Sequence, residues 1–470
     1  MGDASETAGA EQGAMRVTSP EADGTRRIPD FAYYAIAILV GAVVGVIGTA
    51  FHLSVNAILH WPQLVRGTFE GPLLLPIMGL VAAVMVVGAV WIVRTFAPEA
   101  AGSGVQEIEG ALEGLRPVRW HRILPVKFVG GLMALGSGLV VGREGPTIHM
   151  GAAISQAAAQ WFGLSIRDTR GLLAAGGAAG LAAAFNAPLA AILFVIEETR
   201  RQFPYGLRTY TAVILCSVTS AIVTEGLAGS GPDMRIDVPE MPLTFLPAFV
   251  GLGVLLGVVG VMFNRTLIWS LDSTRAFGLR WSPYVIPAIV GLAIGVLLIV
   301  RPEATQGGEL LAVSLATESL PLMVLAGIVL IRFVMTMASY STGVPGGIFA
   351  PVLALATSIG VLYGTALGGA FTLPAGALAA LAVAGMGGLF SSTIRAPLVG
   401  MVLVAELTGA YTLLVPVILT CVFANLVADA LGGRPIYEVL LERTLRLAGQ
   451  TPPHAESVEL GGWDEVERKP

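Results

Sequence analysis

Three short glycine-bracketed turns are the first feature of this sequence that could do chemistry. They are GSGVQ (102–106), GREGP (142–146) and GGIFAP (346–351), and an apolar helical pattern follows each of them. Glycine lets backbone N–H groups come close to a ligand, and proline is favoured in the first turn of a helix. A helix N-terminus presents unpaired N–H donors and about half a positive charge. Three such ends that meet at one point would bind an anion without a full cation.

A structural explanation of these turns is also open, because glycine-rich segments often let membrane helices pack closely. One such turn alone would favour packing, but three of them together favour an anion site. A buried Arg or Lys would hold an anion too tightly to release it, whereas backbone dipoles bind an anion and release it again. The pattern therefore indicates transport of an anion.

Carboxylates inside apolar sequence are the second chemical feature. Glu144 lies within the GREGP turn, and Glu197 and Glu198 end a run without charges over 171–196. An ionised carboxylate is energetically unfavourable in a bilayer, so such residues face cavities, pair with a partner or carry protons. Glu109 and Glu406 also lie within or beside apolar segments. For Glu109, Glu197 and Glu406 we favour a structural pairing with an arginine, and the candidate arginines are Arg119, Arg200 and Arg395.

The composition predicts the elements that must position these residues. Of the 470 residues, 55% are hydrophobic and 13% are charged, whereas soluble globular proteins carry about 25% charged residues. Several charge-free runs reach the length of about 20 residues that a spanning helix needs. They include 31–65, 71–93, 241–264, 281–300, 333–394 and 407–428. The 62-residue run over 333–394 must hold more than one helix, so the sequence predicts an all-α polytopic membrane protein.

The remaining composition excludes several classes of protein. A net charge of −5 leaves no basic excess for nucleic acid, and both cysteines, Cys216 and Cys421, lie in apolar runs. The five histidines show no metal-binding spacing, so we expect no metal and no cofactor. The motifs GxSxG and HExxH are also missing, which argues against a membrane-embedded hydrolase.

One internal repeat divides the apolar part of the chain. A shift of 209 positions places Ala187-Pro188-Leu189 on Ala396-Pro397-Leu398 and Glu197 on Glu406. Weak internal symmetry is common among transporters, whose site lies where the repeats meet. We expect a transmembrane domain over 31–446 with halves at roughly 31–230 and 241–440. Residues 1–30 and 447–470 are expected to be short cytosolic tails, the first of them disordered.

Six motifs in order resemble the CLC family of chloride channels and chloride/proton antiporters, and are most similar to its bacterial exchangers. The motifs are GSGVQEIEGAL (102–112), PVKFVGG (125–131), GREGPT (142–147), AAGLAAAFNAPLAAILFVIEETR (178–200), GVPGGIFAPVLAL (343–355) and GGRPIYEVLLERTL (432–445). The resemblance implies the CLC fold, which has two inverted halves with broken and tilted helices. It also implies a homodimer in the lipid bilayer of the bacterial inner membrane, with both termini cytosolic. The sequence after Tyr437 is too short for the regulatory domains of many eukaryotic members, so we expect no such domain in it.

The same resemblance implies a role for individual residues. The hydroxyls of Ser103 and Tyr437 and the main-chain amides of Ile348 and Phe349 would bind chloride. Glu144 matches the gating glutamate of the family. Gln106 departs from the family pattern, because many members have proline there, and its loss is expected to loosen the start of the helix.

Glu198 matches the internal proton-transfer glutamate, and this residue separates two possible functions. The first is a secondary antiporter that exchanges chloride for protons, in which ionised Glu144 competes with chloride for one site. The alternative is a passive chloride channel of the same fold. Channels of the family typically lack a carboxylate at the position of Glu198, so the sequence favours the antiporter.

Overall fold

The computed structural model describes residues 28–199, 203, 206–229, 231, 234–317 and 320–450. The tails expected at 1–30 and 447–470 therefore lie almost wholly outside the described residues, as does Arg200. The α-helices in chain order are α1 Asp30–Ile58, α2 Trp61–Thr68, α3 Leu74–Phe96, α4 Val105–Leu112, α5 Trp120–Gly136, α6 Glu144–Trp161, α7 Ile166–Phe185, α8 Pro188–Glu198, α9 Leu207–Ala228, α10 Leu246–Arg280, α11 Val285–Val300, α12 Glu309–Thr317, α13 Leu322–Ser341, α14 Phe349–Gly368, α15 Ala377–Ile394, α16 Pro397–Thr408, α17 Leu414–Ala430 and α18 Ile436–Leu447.

Within the described residues, eight helical segments are long and apolar enough to cross a membrane. Those that contain α14 and α15 have 72% and 94% of their most apolar window buried inside the protein, whereas most of the others face outward over much of their surface. The charge-free run over 333–394 holds the end of α13 and all of α14 and α15, as its length required. The prediction of an all-α polytopic membrane protein is confirmed.

The two halves of the chain repeat the same set of contacts. Helix α6 packs on α7 as α14 packs on α15, and α1 packs on α9 as α10 packs on α17. The break after α7 has the same backbone as the break after α15. Asn186 and Arg395 are left-handed, with φ of 51° and 70°, and the following Ala187 and Ala396 have φ of −125° and −120°. The shift of 209 positions therefore reflects a structural repeat.

Two glutamates related by that repeat each bind the start of a helix in the other half of the chain. The carboxylate of Glu197, in α8, accepts the backbone N–H of Val399 at 2.9 Å, at the start of α16. The carboxylate of Glu406, in α16, accepts the N–H of Ala190 at 2.6 Å, at the start of α8. A carboxylate is stabilised at a helix N-terminus by the unpaired N–H groups and the helix dipole. These two short helices are thus joined by a reciprocal pair of caps.

The arginine pairing expected for Glu406 is wrong, whereas the pairing expected between Glu197 and Arg200 involves a residue outside those that the structure describes. The structural role expected for Glu197 and Glu406 is found, but their carboxylates bind backbone N–H groups. Arg395 instead forms an ion pair with Asp429, and Arg119 lies 4.0 Å from Glu99. Backbone N–H groups can take the place of an arginine because the first turn of a helix has several N–H groups without intrahelical partners. These groups bind a carboxylate without a positively charged side chain.

Candidate functional site

Backbone hydrogen bonds join the three glycine turns to one another. The N–H of Gly346 donates to the carbonyl of Gly102 at 3.1 Å, and the N–H of Gly102 donates to Val344 at 3.0 Å. Gly142 and Gly347 exchange two hydrogen bonds, at 2.8 and 2.7 Å. Segments that are more than 200 positions apart thus form two short bridges in the interior. The turns meet at one place, as the sequence predicted.

The tightest approach between the turns is at Gly145. A Cβ at this position would lie 2.7 Å from the Oγ of Ser103 and 2.9 Å from the Cα of Gly347, so only glycine fits. Helices α4, α6 and α14 begin within the three turns, at Val105, Glu144 and Phe349. Their N-terminal N–H groups and the side chain of Ser103 therefore share one small volume in the protein interior.

Two buried hydroxyls lie at this point. Ser103 and Tyr437 are almost completely buried, and their side chains interact with each other. Neither the Oγ of Ser103 nor the phenolic oxygen of Tyr437 has a hydrogen-bond partner that meets standard geometry among the described residues. Buried hydroxyls are nearly always hydrogen-bonded, so two such groups side by side indicate a site for a ligand.

A buried lysine holds the turn that carries Ser103. The Nζ of Lys127 donates to the carbonyl oxygens of Gly102 at 2.7 Å and of Ser103 at 3.0 Å. On the same turn, the N–H of Ser103 donates to the hydroxyl of Tyr340 at 3.3 Å. These bonds use the polar groups of the turn's backbone, which leaves the serine hydroxyl as the group available for a ligand.

Gln106 replaces the proline of the family pattern with a hydrogen bond. Its Oε1 accepts the N–H of Gly104 at 3.2 Å, at the start of α4. A side-chain oxygen that accepts from an orphan N–H stabilises a helix start. The hydrogen bond from Gly104 to Gln106 therefore opposes the loosening of this helix start that the absence of proline was expected to cause.

Glu144 is the first residue of α6 and is fully buried. Its Oε1 accepts the backbone N–H of Ala350 at 3.0 Å, and its Oε2 has no partner among the described residues. Ala350 directly follows Ile348 and Phe349, and all three residues belong to the first turn of α14 or its cap. The carboxylate thus already uses one of the helix-start donors that would bind an anion.

Glu198 is the last residue of α8, and its side chain hydrogen-bonds that of Glu109 in α4. An ionised carboxylate can only accept a hydrogen bond, so a bond between two carboxyl groups requires that one of them carries a proton. The acidic Glu113 and Glu438 lie within electrostatic range of Glu109 as well. This part of the site is therefore suited to holding a proton.

An aromatic cluster connects the two glutamates. The ring of Phe349 packs against Phe194 with centroids 5.1 Å apart, against Phe390 at 4.9 Å and against Tyr437 at 5.9 Å. Tyr437 interacts electrostatically with both Glu144 and Glu198. The sequence motifs did not indicate a role for Phe194 or Phe390. Phe194 lies four positions before Glu198, and this i, i+4 spacing on α8 could have indicated that they share a face.

Comparison with known proteins agrees with this geometry. Residues 84–429 match the family described as voltage gated chloride channel. The chain is 42% identical over 428 residues to the H(+)/Cl(−) exchange transporter ClcA of Vibrio parahaemolyticus, which covers 88% of this chain and 90% of the relative. It is 43% identical over 419 residues to the H(+)/Cl(−) exchange transporter ClcA of Citrobacter koseri, which covers 87% of this chain and 88% of the relative.

A solved structure shows the same architecture. The crystal structure of a slow cyanobacterial Cl−/H+ antiporter superposes with a TM-score of 0.84 at 36% identity. The match covers 90% of this chain and all of that antiporter's chain. The broken helices around the glycine turns therefore belong to a known transporter fold.

Proposed function

The chain belongs to the voltage-gated chloride channel family, known as the CLC family, and from this membership we propose that it is a secondary antiporter that exchanges chloride for protons. One observation carries the proposal: the carboxylate of Glu144 is bound at the start of α14, where the three glycine turns meet. Relatives at 42% and 43% identity are named as H(+)/Cl(−) exchange transporters, which favours exchange over passive conduction.

The chloride site in this proposal is formed by the hydroxyls of Ser103 and Tyr437 and the main-chain amides of Ile348 and Phe349. The support is that both hydroxyls are buried side by side near the start of α14, and that neither meets standard hydrogen-bond geometry with any group in the part of the chain that the structure describes. All four donors are neutral. A site of this kind binds chloride through dipoles and releases it readily, which transport requires.

Glu144 is the gate in this mechanism, because its carboxylate is itself an anion. When it is ionised it takes N–H donors of α14 and keeps chloride from that position. Protonation removes the charge and weakens its hold on the N–H of Ala350, so that chloride can enter. The ionised carboxylate and the chloride therefore occupy the site in alternation, and this couples the movement of protons to that of chloride in the opposite direction.

Glu198 supplies the proton from the other side, in partnership with Glu109. The support is their mutual hydrogen bond, which needs a shared proton. The buried rings of Phe194, on the same helix as Glu198, and Phe349, next to Ala350, pack against each other with centroids 5.1 Å apart. Since chloride binds beside Ser103, the proton follows a route along α8 that diverges from the anion route.

The same proposal extends to assembly and location. Large apolar side chains on α8, α9, α16 and α17 are exposed, among them Leu189, Ile222, Leu398 and Val415. Of these helices, α8 and α16 have 11 and 12 residues and are too short to span a bilayer, so their exposed apolar faces suit a protein contact and we assign this face to a homodimer. The transmembrane domain over 31–446 would lie in a bacterial inner membrane with both termini cytosolic, and it would need no cofactor.

A flux assay in liposomes tests the function directly. The purified protein is reconstituted into vesicles, and a chloride gradient is imposed across their membrane. The proton concentration is either the same on both sides or set so that its gradient opposes the expected proton movement. An antiporter moves protons uphill as chloride runs down its gradient. Chloride flux with no proton movement would instead identify the passive channel of the same fold.

A further inference from the structure

A cluster of polar and charged side chains lies beside the proposed gate, Glu144. Arg143 directly precedes Glu144, and its guanidinium lies 3.6 Å from the carboxylate of Glu309 and 3.5 Å from the Nε2 of His52. The side chain of Arg143 is 7% exposed, whereas that of Glu309 is 31% exposed. The cluster of Arg143, His52 and Glu309 thus leads from the buried gate to the protein surface.

Glu309 is held at this place by a dedicated scaffold. The loop before it is bound by the fully buried guanidinium of Arg332 in α13. This guanidinium donates to the carbonyl oxygens of Glu303, Thr305, Gln306 and Gly307, at 3.2, 3.2, 3.3 and 2.7 Å. A Cβ at Gly307 would lie 3.4 Å from the side chain of Ala350, so the loop also packs on the start of α14.

The charge of Arg143 is close enough to matter for an anion at the gate. The carboxylate of Glu144 interacts electrostatically with both Arg143 and Glu309. A nearly buried guanidinium is screened little by water or salt, so without compensation it would add a strong positive potential. Such a potential holds chloride in the site and slows its release.

We propose that Glu309 is a positioning residue that compensates the charge of Arg143 and thereby keeps the chloride affinity at the gate low enough for rapid turnover. The inference rests on the chloride/proton exchange proposed above and assigns a new role within it. Glu309 acts through Arg143, and the geometry that supports this role is the 3.6 Å ion pair and the loop that Arg332 fixes.

A purely structural role for Glu309 makes the opposite prediction. If the ion pair only fastened the loop to α6, its removal would loosen the start of α14 and weaken chloride binding. If the carboxylate compensates Arg143, its removal strengthens chloride binding and slows exchange. The sign of the change in affinity therefore separates the two roles.

The test measures chloride affinity by calorimetry and exchange in liposomes for Glu309→Gln, Glu309→Lys and Glu309→Asp. We expect Glu309→Gln to lower the chloride Kd about threefold to tenfold and to reduce the maximal rate, with the exchange ratio unchanged. Glu309→Lys should lower the Kd further, and Glu309→Asp should stay near the wild-type value. The matched control is Glu303→Gln, because the side chain of Glu303 is 32% exposed and lies 3.6 Å from Arg301 in the same loop region.

Two kinds of change in the chloride Kd would overturn the inference. One is a Kd that rises in both Glu309→Gln and Glu309→Lys, and the other is a Kd that changes equally in Glu309→Gln and Glu303→Gln. A wild-type protein that neither binds chloride nor moves protons uphill would refute the proposed exchange itself. Normal wild-type exchange with no effect at Glu309 would refute only the role of this residue.

Discussion

Glu144 accepts the backbone N–H of Ala350 at 3.0 Å, although the two residues are 206 positions apart in the chain. The first residue of α6 is thereby bound by the first turn of α14. Because a helix start binds anions of any kind, the donor that holds this carboxylate is also suited to chloride. The proposed gate and the proposed binding site are therefore parts of one structure, and changes to Glu144 should alter coupling without abolishing anion passage.

The first prediction concerns Glu144→Ala. Without the carboxylate nothing competes with chloride for the donors of α14, so we expect chloride flux to persist. Proton coupling and the pH dependence of the flux should both be lost. The measurement is the chloride-driven uphill movement of protons in liposomes. Glu70→Ala serves as the control, because Glu70 is exposed between α2 and α3 and its loss should leave coupling intact.

The second prediction concerns Glu198→Gln. Glutamine can keep a hydrogen bond to Glu109 but cannot release a proton, so proton movement should stop while chloride flux continues. Proton and chloride fluxes are recorded in the same vesicles. Undiminished uphill proton transport in this variant would refute the assignment of Glu198, because another group would then deliver the proton.

The third prediction concerns the two buried hydroxyls. Hydrogen bonds to a charged group contribute about 1.5–3 kcal/mol, so Ser103→Ala or Tyr437→Phe should weaken chloride binding about tenfold or more. Calorimetric titration with chloride measures the effect. Tyr363→Phe is the matched control, because this tyrosine lies on α14 and is only partly buried. Unchanged affinity in both site variants would place the chloride elsewhere.

Much of the site could be predicted because its chemistry depends on local sequence. The three turns around Ser103, Glu144 and Ile348 show in the spacing of glycine and proline, and the repeat that relates Glu197 to Glu406 shows in a simple shift. We expected the turns to meet because an anion site without a cation needs several helix starts around one point. The hydrogen bonds between Gly142 and Gly347 confirm that two of these turns are in contact.

The partners of the carboxylates could not be predicted in the same way. Glu109 interacts with Glu198 although the two residues are far apart in the sequence, and no periodicity along α4 or α8 encodes that interaction. An arginine nearby in sequence is the obvious candidate for each buried glutamate. The carboxylate of Glu406 instead binds the first turn of α8. Backbone N–H donors are present there regardless of which side chains the turn carries. Long-range partners of this kind depend on tertiary packing.

The last prediction tests those reciprocal caps. Glu406→Gln and Glu197→Gln each remove a negative charge from a helix start, which should lower the free energy of unfolding by about 0.3–2 kcal/mol. Since α8 packs directly on α16, the two caps stabilise the same contact, and the double variant should lose less than the sum of the single losses. Thermal unfolding in detergent gives all three values. Glu442→Gln on α18, which removes an ion pair with Arg434 in the segment before that helix, is the control for loss of one carboxylate. Additive losses, or losses equal to that of the control, would show that the two halves are not joined through these carboxylates.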